Sequence, residues 1–179
     1  MNDNDILAII IGILKAGFSA LGITDVSVLQ SYQPTMQGVP TGKAVFIHKI
    51  NAPRYGYPGT KDAYNSGNSD FDTKTLNWRS PTFQIDGLAP QDPTDTTLLT
   101  ASDLVEIAAD IMQFQSTVQT LWESGIGIKR ISELRPSYFI DDRREHEQSP
   151  SFDFTISYQK VYDTTTPAVD VIDGTITGV

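Results

Sequence analysis

The chain has 179 residues, enough for one domain that buries roughly two thirds of the surface its unfolded form exposes. Hydrophobic residues at 39% and charged residues at 20% leave room for unstructured segments but not for a wholly disordered chain. The absence of cysteine excludes disulfides and thiolate metal sites, and a net charge of −9 argues against gripping a phosphate backbone, although a negative wall suits DNA that must slide past without sticking.

Asn2, Asp3 and Asn4 offer N-cap oxygens for a helix over 5–21 that Gly22 closes. Ile6, Ile9, Ile10, Ile13, Leu14, Gly17 and Leu21 fall on one stripe, while Leu7, Ile11 and Phe18 lie outside it. A helix apolar on more than one side needs cover on more than one side, and another subunit is the expected second cover. The run from Ile6 to Leu14 is preceded by Asp3 and Asp5 rather than by cations, and it falls short of the about 20 apolar residues that span a bilayer. A buried helix is expected, with no membrane partner.

Val26 and Val28 mark a short strand over 25–31. Pro34, Gly38, Pro40 and Gly42 then fix the corners of a stiff loop suited to holding a neighbour, because Pro locks φ and Gly supplies angles other residues avoid. A stronger strand follows over 43–50, rich in β-branched and aromatic residues. Pro53, Gly56, Pro58, Gly59, Asn65, Gly67 and Asn68 make 51–77 read as a long loop, ordered only if something packs on it. A third strand over 78–88 has Phe83 and Ile85 on one face, with Pro81 at an edge or bulge, and 90–97 is a polar linker.

Thr100-Ala101-Ser102-Asp103 has the form of a capping box. The helix it opens runs to about Ser124, with Leu104, Ile107, Ala108, Ile111, Met112, Val118, Leu121 and Trp122 at helical spacing and Gly125 as the stop. Strands are expected over 126–131, 137–141 and 151–161, the last with Phe152, Phe154, Ile156 and Tyr158 alternating with polar residues. After a tether over 163–168, residues 169–177 resume β-like alternation, either closing their own sheet or adding to the edge of another chain. The order implies an α+β fold: an antiparallel or mixed sheet with two main helices packed on one face and an extended C-terminal strand, with one domain over 1–162 and a linker and extension over 163–179.

Motifs of chemistry are sparse. His48 lies in a strand without an acid near it in sequence and reads as a satisfied structural histidine. His146 belongs to Asp141-Asp142-Arg143-Arg144-Glu145-His146-Glu147, where metal ligation competes with a solvated charged hairpin loop, the better fit with no second His or Cys nearby. In the same segment Arg143, Arg144 and Glu145 suit bridging to a complementary stretch of a neighbour. No nucleophile elbow, P-loop, Rossmann fingerprint or zincin motif is present. Asp70 with Asp72 reads as solvated loop acids, and Arg54-Tyr55-Gly56-Tyr57 as a patch for packing on a partner rather than for base stacking. No catalytic residue, metal or cofactor is expected.

Several short words occur in a telling order: Leu21-Gly22-Ile23, Gln33-Pro34, Gln37-Gly38-Val39-Pro40, Val45-Phe46-Ile47-His48-Lys49, Arg54-Tyr55-Gly56, Arg135-Pro136-Ser137 and Phe152-Asp153-Phe154. In that order they resemble the neck proteins of contractile-tailed bacteriophages called tail terminators or gateway proteins. The resemblance implies a structural virion protein rather than an enzyme, assembled in the host cytoplasm as a ring, a hexamer, at the top of the tail. Such a ring ends growth of the tail tube and sheath and joins the tail to the head-to-tail adaptor or collar proteins, while DNA passes through the lumen without specific binding. The interface residues expected on this reading are Gln33, Pro34, Gln37, Gly38, Pro40, Arg54, Tyr55, Arg143, Arg144, Glu145, Val169, Val171 and Ile176. Another neck or baseplate component is the nearest alternative, and a small acidic cytoplasmic enzyme with perturbed carboxylates a more distant one.

Overall fold

The computed structural model describes residues 2–31, 41–68, 70–90, 94, 95, 97–131, 133–136, 138–140 and 146–168. Its elements are α1 (Asp3–Ala20), β1 (Ser27–Gln30), β2 (Ala44–Asn51), β3 (Arg54–Asn65), β4 (Asp70–Arg79), β5 (Thr82–Leu88), α2 (Ala101–Gln113), α3 (Gln115–Glu123), β6 (Ile126–Ile128), β7 (Leu134–Arg135), β8 (Tyr138–Ile140), β9 (His146–Gln148) and β10 (Ser151–Pro167). They fall into two units, Met1–Pro53 with Arg79–Tyr158, and Arg54–Trp78 with Gln159–Val179.

In the first unit, β5 lies between β2 and the first half of β10. Both pairings are antiparallel, with Ala44 opposite Leu88 and Ser151 opposite Asp86. β1 runs parallel to β2, which makes the sheet mixed. The short strands β6 and β7 also pair with β10. Period-two alternation sends Val45, Ile47, Phe83, Ile85, Phe152, Phe154 and Ile156 to one face, where all are buried. Phe83 stacks on Phe154 with ring centroids 5.6 Å apart. Each such side chain contributes about 1.5–3 kcal/mol by leaving water.

α1 and α2 cover that face, so the α+β class and the two covering helices are as expected. α1 begins at Asp3, with Asn2 as its cap: the Asp5 amide donates to Asn2 Oδ1 at 2.9 Å, and the Asn2 amide donates back to the Asp5 carboxylate at 2.7 Å. Its buried stripe is Ile6, Leu7, Ile10, Leu14 and Phe18. Leu7 and Phe18 thus belong to the core rather than to a second face. Leu21, placed on the stripe by spacing, is 50% exposed because it is the residue after the last turn. Gly22 and Gly125, with φ of +78° and +74°, stop α1 and α3 at the positions the sequence marks.

Thr100 and Asp103 form the capping box of α2: the Asp103 amide donates to Thr100 Oγ1 at 3.1 Å and the Thr100 amide to Asp103 Oδ2 at 2.8 Å. The single helix expected as far as 124 is broken at Phe114, whose ψ of 142° is extended. No glycine or proline announces the break. It lets α2 bury Leu104, Val105, Ala108, Ile111 and Met112, while α3 buries Thr117 and Leu121 next to β6. As a consequence Trp122, expected at a core position, is 75% exposed.

β8 and β9 form a small antiparallel pair with Tyr138 opposite Gln148, so His146 and Glu147, expected in a charged hairpin loop, are strand, and 141–145 lie outside the described residues. The strand expected over 126–131 is shorter, Ile126–Ile128.

The second unit corrects the reading of 51–77 as a loop. β3 and β4 form a hairpin, and the second half of β10 pairs with β4, giving the order β3-β4-β10. At the turn, Asn65 Oδ1 accepts from the Gly67 amide at 3.1 Å and the Asn68 amide donates to the Asn65 carbonyl at 3.3 Å. Thr73 Oγ1 donates to Asp62 at 2.7 Å across the hairpin, and Thr164 Oγ1 to the Thr73 carbonyl at 3.3 Å on the other side of β4. Residues 163–167, expected as tether, are strand because β4 supplies their ladder partner. The glycines and prolines that signalled a loop are tolerated here, since β3 is exposed at every residue but its last and lies at the end of the strand order.

Two glycines of α1 have opposite surroundings. A Cβ at Gly17 would meet Ile111 Cγ2 at 2.4 Å, whereas a Cβ at Gly12 meets nothing within 4 Å. Gly17→Ala is expected to lower unfolding stability by roughly 1–3 kcal/mol and Gly12→Ala to raise it by about 0.5–1 kcal/mol. Urea titration of both variants checks the pair, and equal shifts would contradict this account of the α1–α2 contact.

Candidate interface surfaces

The residues that alternate away from the core build a polar outer face on the first unit. Gln84 stands opposite His48 on one side and Asp153 on the other, and Asp86 stands one step along the same strand. His48 Nδ1 lies 3.3 Å from Asp86 Oδ2, and Gln84 Nε2 donates to Asp86 Oδ1 at 2.8 Å. Arg135 of β7 donates to Asp153 Oδ1 at 2.5 Å, and the Thr82 and Thr155 hydroxyls are 3.1 Å apart. The histidine that has no acid near it in sequence therefore gains one across the sheet.

Burial pushes the Asp86 carboxyl above its ordinary value, against the opposing pull of His48 and the Gln84 hydrogen bond. Next to this row is a polar groove of about 220 Å³ lined by Lys129, Arg130, Glu133, Arg135, Asp153 and Thr155. Three cations meet there on a chain of net charge −9. The arrangement satisfies side chains across strands and offers a charged contact surface. Among the described residues no group of three His, Asp or Glu is placed to hold a metal ion. Nor is any helix among them long and apolar enough to cross a membrane.

A second surface lies where α1 meets the α2–α3 break. Ile13, Ala16, Gly17, Ala20 and Leu21 of the α1 end face Ile111, Phe114 and Thr117 around an open, mainly apolar cleft of about 300 Å³. Leu21 and Phe114 are half exposed at its rim. The second apolar side expected for α1 is thus partly covered within the chain, where Ile9, Ile11 and Ile13 pack on the core, and open only toward its C-terminal end.

The third surface is the ribbon β3-β4-β10 of the second unit. Tyr55, Tyr57, Tyr64, Phe71, Trp78, Val161 and Tyr162 are all exposed on it, Tyr57 at 99%. Tyr64 and Phe71 pair near the turn with ring centroids 5.3 Å apart. Of the expected interface residues, Arg54 and Tyr55 stand at the start of β3 and are exposed. Gln33, Pro34, Gln37, Gly38, Pro40, Arg143, Arg144, Glu145, Val169, Val171 and Ile176 lie outside the described residues. Sequence reasoning missed the rest of the ribbon, although aromatics recurring in a polar stretch, as at Tyr55, Tyr57, Tyr64 and Phe71, are a signal that could have found it.

A layered α+β fold is shared by many functions, and what these surfaces offer is polar, apolar and aromatic contact. The model of the family described as E217 gateway protein gp29 matches residues 5–168, and the chain belongs to that family. It is accordingly a structural protein of the phage neck, as the resemblance in the short sequence words implied. Among solved structures it is similar to the sheath/tube terminator, in its extended state, of an extracellular contractile injection system called PVC. That match has 10% sequence identity and a TM-score of 0.48, and covers all of this chain and 64% of the other. No curated protein matches the chain.

The raised Asp86 carboxyl carries a pH signature. Because its folded value lies above its unfolded one, its contribution is favourable while protonated and is lost as pH rises through the folded value. Asp86→Asn, which keeps an acceptor for Gln84, is expected to melt above the wild type at neutral pH. The difference should shrink as pH falls toward about 4. A lower melting temperature at neutral pH would mean that the His48 contact outweighs burial.

Proposed function

We propose that this protein is the ring-forming terminator of the neck: about six copies close at the top of the tail, end growth of the tube and sheath, and join the tail to head-to-tail adaptor or collar proteins. The observation that carries the reading is the family match over residues 5–168. The surfaces support it, since a ring needs two different patches on each subunit and the chain offers a charged groove, an apolar cleft and an aromatic ribbon. The loop at 32–40, the charged segment at 143–145 and the strand-like tail with Val169, Val171 and Ile176 are proposed as further contacts with neighbouring subunits or neck partners. With −9 per chain, six copies bring roughly fifty negative charges, some of them lining a lumen through which DNA passes without adhering. The virion is its place of action, with assembly in the host cytoplasm.

Sizing of the purified chain with negative-stain imaging is expected to show closed rings, and labelled protein should locate to the neck of particles. A chain that stays monomeric and lies elsewhere in the particle overturns the reading. Duplex DNA is expected to bind weakly at low salt, and tight, salt-sensitive binding would contradict the non-adhesive lumen.

A further inference from the structure

The ribbon β3-β4-β10 buries no apolar face: every residue of β3 but the last is exposed, no residue of β4 is fully buried, and β10 is exposed from Val161 to Pro167. A small sheet gains independent stability only when an apolar face is covered. Seven large side chains of this ribbon, Tyr57 and Trp78 among them, are instead 40–99% exposed. Among the described residues no strand lies on the outer side of β3, so its twelve residues also present a free backbone edge.

Charge says what covers it. On the described residues of the second unit, Arg54–Trp78 and 159–168, Arg54, Lys61, Lys74 and Lys160 are matched by Asp62, Asp70, Asp72 and Asp163, for no net charge on a chain of −9. Apart from the groove with Lys129, Arg130 and Arg135, contact between two copies through the acidic remainder of the surface brings like charges together, and contact through the ribbon does not. A neutral, Tyr- and Trp-rich strand surface has the composition of an interface core and lacks the cationic surplus that a phosphate backbone requires.

We propose that the ribbon is the arm by which one subunit holds the next: a second copy of this chain covers the aromatic surface around Tyr55, Tyr57 and Trp78 and lies along the β3 edge. The inference rests on the ring reading only for which copy is met, the next one around the ring.

The test uses the full chain. Tyr57→Lys leaves the fold intact because Tyr57 has no cover to lose, and circular dichroism verifies this. By sedimentation velocity the wild type is expected to self-associate, Tyr57→Lys to weaken that association about tenfold or more, and Ser19→Lys on the exposed side of α1 to leave it unchanged. Because the chain has no cysteine, Tyr57→Cys carries a unique benzophenone cross-linker, and illumination should give a product of two copies. Unchanged association of Tyr57→Lys, a wild type that stays monomeric, or products only with DNA or another tail protein overturns the proposal. Rings that survive Tyr57→Lys sink the arm and leave the ring reading standing. Cross-linked copies that never close into rings support the arm and sink the ring reading.

Discussion

Close approach of α2 to the centre of the sheet is the constraint on which the first unit depends. A Cβ at Gly87 of β5 would meet Val105 Cγ2 at 2.5 Å and the Ala101 carbonyl oxygen at 2.8 Å, so the first turns of α2 lie against bare backbone. The same helix receives α1 at Gly17, where Ile111 occupies the space a side chain would take. Two glycines thus set the depth of both layers. Phe83 of β5 and Phe152 and Phe154 of β10 are buried in the core between them.

That packing decides which surfaces are left for assembly. With the inner face of the sheet committed to the helices, the outer face is built from His48, Gln84, Asp86, Asp153 and Arg135, whose contacts run along β5, from Gln84 to Asp86, and between strands, from His48 to Asp86 and from Arg135 to Asp153. The break at Phe114 turns α3 toward β6 and leaves an apolar cleft beside the end of α1. One is a partnered polar row and the other an open apolar cleft. Both are surfaces that a structural protein of the phage neck can offer to other proteins.

β10 contributes residues to both units. From Phe152 to Tyr158 it alternates buried and half-buried residues, and from Val161 onward every residue through Pro167 is exposed. The first half is specified by burial, because a one-residue slip would turn Phe152, Phe154 and Ile156 toward solvent. Beyond Val161 burial specifies nothing, and the strand is held by backbone pairing and by local contacts such as Lys74 with Asp163 at 3.7 Å.

Where one face is buried, sequence alone determined structure: the capping boxes at Asn2 and Thr100, the stops at Gly22 and Gly125, and the alternation of Phe152, Phe154 and Ile156 each follow from local hydrogen bonding or from a period imposed by the core. The family, too, was legible in short words spread along the chain. Tertiary structure alone decided the rest. The ribbon over 54–79 has no buried face and so no burial pattern to read, and its Gly and Pro residues signalled a loop. The break at Phe114 answers to what α3 must bury, not to any breaker in the chain. His48 met Asp86 only because β2 and β5 pair in one register, and a register between distant strands is fixed by the common core rather than by either strand's own residues.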